Sequence, residues 1–334
     1  MLHPGMLQPN GYLVCGTDPT NIFHMTQLVI VGAGPIGTWV AEAAVKDGVV
    51  DSIRAVVDPD EKARRELVAA TGAPGYASTV QLPHAADGDV ALVVFASSAE
   101  RVAPEIIRLV SAGYDVVTTC EGLAWAPRHL WDALHTSARS DARTIIVTGT
   151  SPGFISDRLP LALATASRNV TSVIVRRHMD TSSLRPSLVA KSGRGLSIDE
   201  FHTQRKAGKV GLAGIEASAR IIARGLEWPH KDVTSTVEPI VEDGQIIGAH
   251  HLTKLSAGTD QSVLIEIKMA WDLATPTDTI DIEGSPPIHV SFAGGYPTDE
   301  GTAAQVVGAI RRCATLRPGF YRPTDLPLRF GVEW

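Results

Sequence analysis

A glycine-rich turn near the start of the chain constrains the fold more than any other feature. The apolar segment 27–31 runs directly into Gly32-Ala33-Gly34-Pro35-Ile36-Gly37, and a helical stretch, residues 38–47, follows. Between a strand and a helix, such glycines permit a tight turn, close approach of a pyrophosphate and close helix packing. The helix N-terminus offers amide donors to the phosphates. We therefore predict a dinucleotide-binding domain with cofactor contacts at Gly32, Gly34, Pro35, Ile36 and Gly37.

A carboxylate follows the next predicted strand, residues 53–57. Asp58 lies where the dinucleotide fingerprint has its acid, about 20 residues beyond the glycines, and there it binds the adenosine ribose hydroxyls. A 2′-phosphate would be repelled by up to about 4 kcal/mol at ~4 Å with an effective dielectric near 20, so NAD is favoured over NADP. NADP would instead be able to bind if Arg64 or Lys62 lay over that phosphate. Turn formation before Pro59 is the structural alternative for Asp58.

Composition excludes several classes of protein. The chain has 334 residues, 44% of them hydrophobic, which is enough for two packed domains. Its net charge of −6 is spread over mixed signs, so neither nucleic acid nor an anionic membrane is predicted as a partner. No apolar run approaches ~18 residues and no signal peptide is evident, so we expect a cytoplasmic protein acting on small molecules. Three distant cysteines, Cys15, Cys120 and Cys313, indicate neither disulfides nor a zinc site.

Alternating strands and helices divide the chain into predicted parts. Residues 1–25 are expected to be a flexible extension, and residues 26–150 a Rossmann domain with a doubly wound parallel sheet. Its predicted strands include 90–96, 115–119 and 144–148, the last of which closes the sheet. Residues 151–298 form an α+β domain for substrate binding and dimerisation, with a mixed or antiparallel sheet. In residues 299–334, a helix packs back on the first domain.

The second domain is expected to contain strands connected by short turns and two inserted helices. The predicted strands are 172–177, 234–240, 246–254, 262–271 and 288–293, and the predicted helices are 197–207 and 212–225. In the strand 262–271, apolar residues occupy both faces, as Val263 and Ile265 alternate with Leu264. This sheet therefore has surface to cover on more than one side.

The position of Glu121 at the end of a predicted strand indicates where its side chain lies. It follows the predicted buried strand 115–119 in a dinucleotide-binding domain, which puts a carboxylate beside the nicotinamide. We expect burial of this side chain against the nicotinamide and Trp125, and a helix cap or a surface acid is the structural alternative. Cys120 adjoins Glu121 at the cofactor, but it has no paired histidine in sequence and is not expected to be a nucleophile.

Other candidates surround the predicted cleft. Ser97 and Ser98 are placed to touch the cofactor ribose or pyrophosphate, although a serine at a strand end also caps the next helix. The turn Pro152-Gly153-Phe154 lets the backbone approach the nicotinamide carboxamide, and its alternative role is an interdomain hinge. Trp125, Phe154 and His178 are candidate substrate contacts. No metal site is predicted.

Four segments, in this order along residues 26–330, carry a family resemblance. They are Gly32-Ala33-Gly34-Pro35-Ile36-Gly37, Thr118-Thr119-Cys120-Glu121-Gly122-Leu123, Gly149-Thr150-Ser151-Pro152-Gly153-Phe154, and Pro318-Gly319 before Asp325-Leu326-Pro327. The chain resembles 2,4-diaminopentanoate dehydrogenases and the related native amine dehydrogenases, within the dihydrodipicolinate-reductase-like group. The resemblance implies a homodimer that interconverts an amine with a ketone or aldehyde plus ammonia, using NAD(P). It also implies that Glu121 is the catalytic base.

Two departures from that family bear on the substrate. Its diamino-acid members have a second glutamate after the catalytic one and an Asn-Pro-Gly-Phe turn, where this chain has Gly122 and Ser151. The loss of an acid favours a simple amine or ketone over 2,4-diaminopentanoate, which stays an alternative.

Two further functions stay open. One is imine reduction as in dihydrodipicolinate reductase, for which His250 and His251 with Lys254 offer a loose counterpart of the acid motif. The two histidines are adjacent in a predicted strand, so they face opposite sides and do not bind a metal together, though one of them can line the pocket. The other function is NAD(P) sensing without turnover, against which an intact Glu121 argues.

Overall fold

The computed structural model describes residues 26–94 and 98–326. The strands are β1 Gln27–Val31, β2 Ser52–Val57, β3 Gly75–Tyr76, β4 Val90–Val93, β5 Asp115–Thr118, β6 Thr144–Val147, β7 Arg168–Asp180, β8 His230–Glu242, β9 Gln245–Ala257, β10 Gln261–Ala270, β11 Thr277–Ser285, β12 Ile288–Ala293 and β13 Gly319–Tyr321. The helices are α1 Pro35–Lys46, α2 Glu61–Thr71, α3 Ala99–Ser111, α4 Glu121–Ala124, α5 Arg128–Ser140, α6 Arg158–Ala164, α7 Pro186–Lys191, α8 Ile198–Lys206, α9 Ile215–Gly225 and α10 Thr298–Cys313. Ser97 and the end of the strand predicted over 90–96 lie outside the described residues.

The first sheet is parallel, with the strand order β13-β6-β5-β4-β1-β2-β3. The order reverses between β1 and β4, and the crevice at the carboxyl ends of these strands is where such sheets bind dinucleotides. The predicted Rossmann fold is confirmed. The expectation that β6 closes the sheet is wrong, because β13 pairs with its outer edge. Three residues are too few for a period-two pattern, and this strand is held by its pairing with β6 and by the burial of Phe320.

Both faces of the first sheet are covered by helices. Leu28 and Ile30 of β1 belong to one core with apolar residues of α1 and α10, and Val29 and Val31 belong to a second core with α3 and α5. Burial on both faces explains why β1 is a continuous apolar run. None of the described helices has the length and apolar character needed to cross a bilayer.

The second sheet is mixed, with the strand order β12-β11-β7-β10-β9-β8 and a single parallel pair, β7 with β10. The predicted α+β domain with a mixed or antiparallel sheet is confirmed. Strand β11 was not predicted, because its inward-pointing Ile280 and Ile282 stand among threonines and acidic residues. Helices α6 and α7 were not predicted either, because they are too short to show a helical period.

The two faces of this sheet differ. One face forms the second-domain core with α6, α8 and α9, and it buries Val263, Ile265 and Ile267 of β10. Most residues on the opposite face are half-buried or exposed, and they include Leu264. There Glu266 contacts Arg176 and His250 on the two neighbouring strands and Lys268 on its own strand. A sheet face of this kind leaves apolar area in contact with solvent.

Candidate active site

The glycine turn has the geometry that a dinucleotide requires. Gly32 has a φ of +115°, and a Cβ on Gly37 would lie 2.1 Å from the Gly32 carbonyl oxygen, so side chains are excluded at both positions. A Cβ on Gly34 would meet nothing within 4 Å, which leaves open space in front of α1. Gly34 caps α1 without a side-chain hydrogen bond, and Pro35 opens the helix. The first amides of α1 can therefore bind phosphate.

Asp58 lies beside this turn. Its Oδ2 accepts a hydrogen bond from the Ala33 amide at 2.7 Å, and its Oδ1 accepts one from the Asp60 amide at 2.8 Å. Asp58 therefore orders its own turn and also stands next to the dinucleotide loop. Arg64 Nη1 donates to the Asp58 carbonyl oxygen at 2.5 Å, whereas Lys62 points into solvent beside Glu66. Of the two cations considered for a 2′-phosphate, only Arg64 contacts Asp58.

Glu121 opens the short helix α4 immediately after β5. Leu123 and Ala124 of this helix are buried, but the Glu121 side chain is exposed. The expected burial is therefore not present in the protein alone, because the carboxylate extends from the first turn into the space between the domains. A Cβ on Gly214 would lie 2.9 Å from Glu121 Cβ and 2.8 Å from Pro152 Cδ. Only glycine lets these three segments meet.

A cavity of about 100 Å³ lies between the two domains at this point. Ile36, Glu121 and Pro152, three residues singled out from the sequence, line it together. Arg177, at the end of a predicted strand facing the cleft, also lines it. Other lining residues come from distant segments and were not predicted from the sequence. These are Thr150, Met179, Arg185, Thr298 and Thr302.

The turn at Pro152 and Gly153 is held rigidly. Gly153 has a φ of +132°, and a Cβ there would lie 2.5 Å from the Gly149 amide nitrogen. The buried Asp157 carboxylate accepts hydrogen bonds from the Gly153 amide at 2.9 Å and from Ser218 Oγ at 2.8 Å. Burial raises the pKa of Asp157 to about 6. These contacts tie the turn to α9 and favour a fixed wall at the cofactor site.

Two arginines at the cavity are paired with carboxylates. Arg177 and Asp278 are each 1% exposed, with Nε 2.9 Å from Oδ2. Arg185 forms an ion pair with Asp299 at the start of α10. Burial lowers the pKa of Arg185, and the negative charge of Glu121 opposes that shift. Electrostatic coupling thus links Arg185 to Glu121.

A second cavity, of about 370 Å³, lies on the other side of Glu121. Trp125, which was predicted to contact the substrate, lines this cavity. Gly122 and His251 of β9 line it as well. His251 is 5% exposed, and burial, followed by the charge of His250, lowers its pKa to about 4. His250 and His251 are adjacent in the strand and face opposite sides of the sheet. His250 Nε2 lies 2.9 Å from Glu266 Oε1.

Four other sequence candidates do not line the two cavities that contain Glu121. Phe154 packs against the Tyr296 ring, with centroids 5.5 Å apart, and His178 lines a separate cavity of about 620 Å³. Burial raises the pKa of the Cys120 thiol to about 11, so it stays protonated at neutral pH. Ser98 occupies the N-cap position of α3.

Comparison with known proteins identifies the family. Residues 154–333 match the family model described as the 2,4-diaminopentanoate dehydrogenase C-terminal domain. The chain belongs to the 2,4-diaminopentanoate dehydrogenase family. The 2,4-diaminopentanoate dehydrogenase of Acetoanaerobium sticklandii is 24% identical over 261 residues, 72% of this chain and 74% of that one. The resemblance inferred from the motifs is confirmed, and with it an oxidoreductase family.

Solved structures share the two-domain fold of this family member. Amine dehydrogenase from Mycobacterium smegmatis has a TM-score of 0.75 at 17% identity, over 91% of this chain and 97% of that one. The WlbA dehydrogenase from Bordetella pertussis, solved with NADH and UDP-GlcNAcA, has a TM-score of 0.53 at 15% identity, over 85% and 88%. A Rossmann domain joined to a second sheet is thus shared well beyond the 2,4-diaminopentanoate dehydrogenase family.

Proposed function

We propose that this protein is an NAD-dependent amine dehydrogenase that interconverts an amine with a ketone or aldehyde plus ammonia. The observation that carries the proposal is the position of Glu121. Its carboxylate lines the interdomain cavity together with Ile36 of the glycine turn and Pro152 of the opposite wall. Membership in the 2,4-diaminopentanoate dehydrogenase family supports the same assignment.

The residues of the first domain fit a dinucleotide. The open space at Gly34 and the amides at the start of α1 suit a pyrophosphate, and Asp58 suits ribose hydroxyls. When bound, the nicotinamide supplies or accepts the hydride. Ile36 and Pro152 would then flank its ring, because both line the cavity that contains Glu121.

Glu121 is suited to the proton transfers of reductive amination. Its carboxylate takes two protons from nitrogen, one as ammonium becomes ammonia and one as ammonia adds to the carbonyl. It passes both to the carbonyl oxygen, which first becomes the carbinolamine hydroxyl and then leaves as water. It also stabilises the positive charge of the iminium that results. Arg185, the cation coupled to Glu121, also forms an ion pair with Asp299, which partly offsets its repulsion of the iminium.

The second cavity bears on the size and charge of the substrate. Gly122 stands where the family's diamino-acid members have a second glutamate, and a Cβ there would lie 3.1 Å from Ala99 Cβ. A larger side chain would crowd α3. The lack of a second acid supports a simple amine or ketone over 2,4-diaminopentanoate as the substrate.

An absorbance assay separates the proposed function from its alternatives. The amine dehydrogenase oxidises NADH only when ammonium and a ketone or aldehyde are both present. NADH oxidation with a preformed cyclic imine but not with a ketone and ammonium would favour an imine reductase. The candidate acid motif for that reaction is split, because Lys254 is exposed while His251 is buried on the other face of β9. NADH binding without any turnover would indicate a sensor.

Cofactor preference gives a first prediction. Asp58→Ser removes the carboxylate that would bind the ribose hydroxyls and repel a 2′-phosphate, so NAD efficiency should fall about tenfold or more while NADP efficiency rises. Steady-state kcat/KM with each cofactor measures the change. Asp60→Ser, at the exposed cap of α2, serves as a control. Unchanged efficiencies with both cofactors in Asp58→Ser would remove this residue from the site.

Assembly gives a second prediction. We propose a homodimer formed through the half-exposed face of the second sheet, which carries Leu264 beside the charged contacts of Glu266. Light scattering should give twice the chain mass of 35.5 kDa. Leu264→Arg buries an unpaired charge in that interface and should yield monomers, whereas Val241→Arg, exposed near the β8–β9 turn, should not. A wild-type monomer at micromolar concentration would contradict the proposal.

A further inference from the structure

His251 is held in a polar row inside an otherwise apolar core. Its neighbours on the same face of β9 are Ala249, Thr253 and Leu255, all essentially inaccessible to solvent. Ser235 Oγ of β8 lies 2.7 Å from His251 Nε2 and 3.0 Å from Thr253 Oγ1, so one ring nitrogen is fixed. These bonds set the orientation of the imidazole.

The other ring nitrogen has no partner. Nδ1 of His251 is buried and makes no hydrogen bond within the described part of the chain. An unpaired polar atom costs free energy on burial, so such atoms in native proteins call for a partner that is not part of the chain. The ring lines the cavity that Glu121 and Trp125 also line. A ligand in that cavity can supply the missing bond.

The charges around the cavity limit what that ligand group can be. Glu121 and Glu216 are acidic, Arg220 is basic, and His251 is neutral above about pH 4. The lining therefore has a net negative charge at neutral pH, which disfavours a carboxylate on the ligand. Leu212, Ile215 and Trp125 add apolar surface suited to a hydrocarbon segment.

We propose that His251 is a specificity-determining residue whose Nδ1 hydrogen-bonds an uncharged polar group, a hydroxyl or a carbonyl, on the part of the substrate remote from the aminated carbon. The proposal rests on the amine dehydrogenase function. It explains why a buried histidine lines the cavity that the candidate catalytic carboxylate also lines. A core histidine with a purely structural role would not change the preference among substrates.

The test uses hydroxy methyl ketones of several chain lengths, each compared with the ketone in which a methyl group replaces the terminal hydroxyl. Because a net hydrogen bond contributes up to about 1.5 kcal/mol, at least one hydroxy ketone should be favoured about tenfold in kcat/KM by the wild type. His251→Leu should abolish that preference, mainly through KM, and leave the methyl ketones within about threefold. Ser235→Ala is a milder substitution, because it removes only the bond that orients the ring. It should weaken the preference for the hydroxy ketone.

His250→Leu is the matched control, because His250 is the neighbouring strand residue and bonds Glu266 on the opposite face. This variant should keep the preference for the hydroxy ketone. Calorimetric titration of the same ketones into NADH-saturated protein measures the preference without turnover, and NADH binding reports folding. A wild type that aminates ketones without any preference, or a preference that survives in folded His251→Leu, would overturn the proposal. A preference for an oxo acid over every hydroxy ketone would also overturn it. Absence of ammonium-dependent turnover with every ketone would instead contradict the amine dehydrogenase function.

Discussion

Glu121→Gln should lower kcat for reductive amination by at least ~10² while NADH affinity stays within about twofold. Glutamine keeps the shape and the hydrogen-bonding reach of the side chain, but it neither accepts a proton nor stabilises an iminium by charge. The dinucleotide contacts are made elsewhere, by the glycine turn and Asp58, so binding is spared. Stopped-flow or steady-state assays with ammonium and a ketone measure kcat, and fluorescence titration measures NADH binding.

Glu242→Gln provides the control, because this glutamate is exposed at the end of β8 and should leave both quantities unchanged. Retention of more than about a tenth of wild-type amination by Glu121→Gln, with tight NADH binding, would contradict the mechanism and favour an imine reductase. A joint loss of activity and NADH binding would point to a folding role, which the exposure of this side chain argues against.

Arg177→Met should lower the free energy of unfolding by about 3–5 kcal/mol. The substitution leaves Asp278, 1% exposed, as an unpaired buried carboxylate. It also removes the hydrogen bonds from Arg177 Nη2 to the Tyr296 carbonyl at 3.0 Å and to Thr298 Oγ1 at 3.3 Å, which hold the entry to α10. Urea unfolding at a fixed protein concentration measures the change.

Two further variants make this prediction specific. Adding Asp278→Leu to Arg177→Met removes the stranded charge and should recover part of the loss, although the Tyr296 amide then loses its acceptor. Arg128→Met breaks an exposed ion pair with Asp132 and should cost less than about 1 kcal/mol. A loss as small as this in Arg177→Met would mean that the buried pair contributes little to stability.

Local patterns predicted the first domain well because its elements obey short-range rules. Burial on both faces makes β1 a continuous apolar run, and within one turn Gly32 has a positive φ while a Cβ on Gly37 would clash with the Gly32 carbonyl. Patterns failed where an element is too short to show a period, as in β13 and α7, or where polar residues alternate with two isoleucines, as in β11. In each case contacts from distant segments supply the stability that the local sequence lacks.

By itself, the sequence determined the nucleotide-binding turn, the acid at the end of β2, the position of Glu121 after β5 and the family of the chain. The tertiary structure alone decided what surrounds Glu121. Arg185 from the second domain, Gly214 before α9 and His251 in β9 reach the carboxylate or its cavities only through folding. The position of a residue at a strand end is fixed by local backbone geometry, which the sequence encodes directly. The residues that line a pocket depend instead on how the two domains pack. Burial of Glu121 against the nicotinamide and Trp125 stays a prediction, because the side chain is exposed in the protein alone.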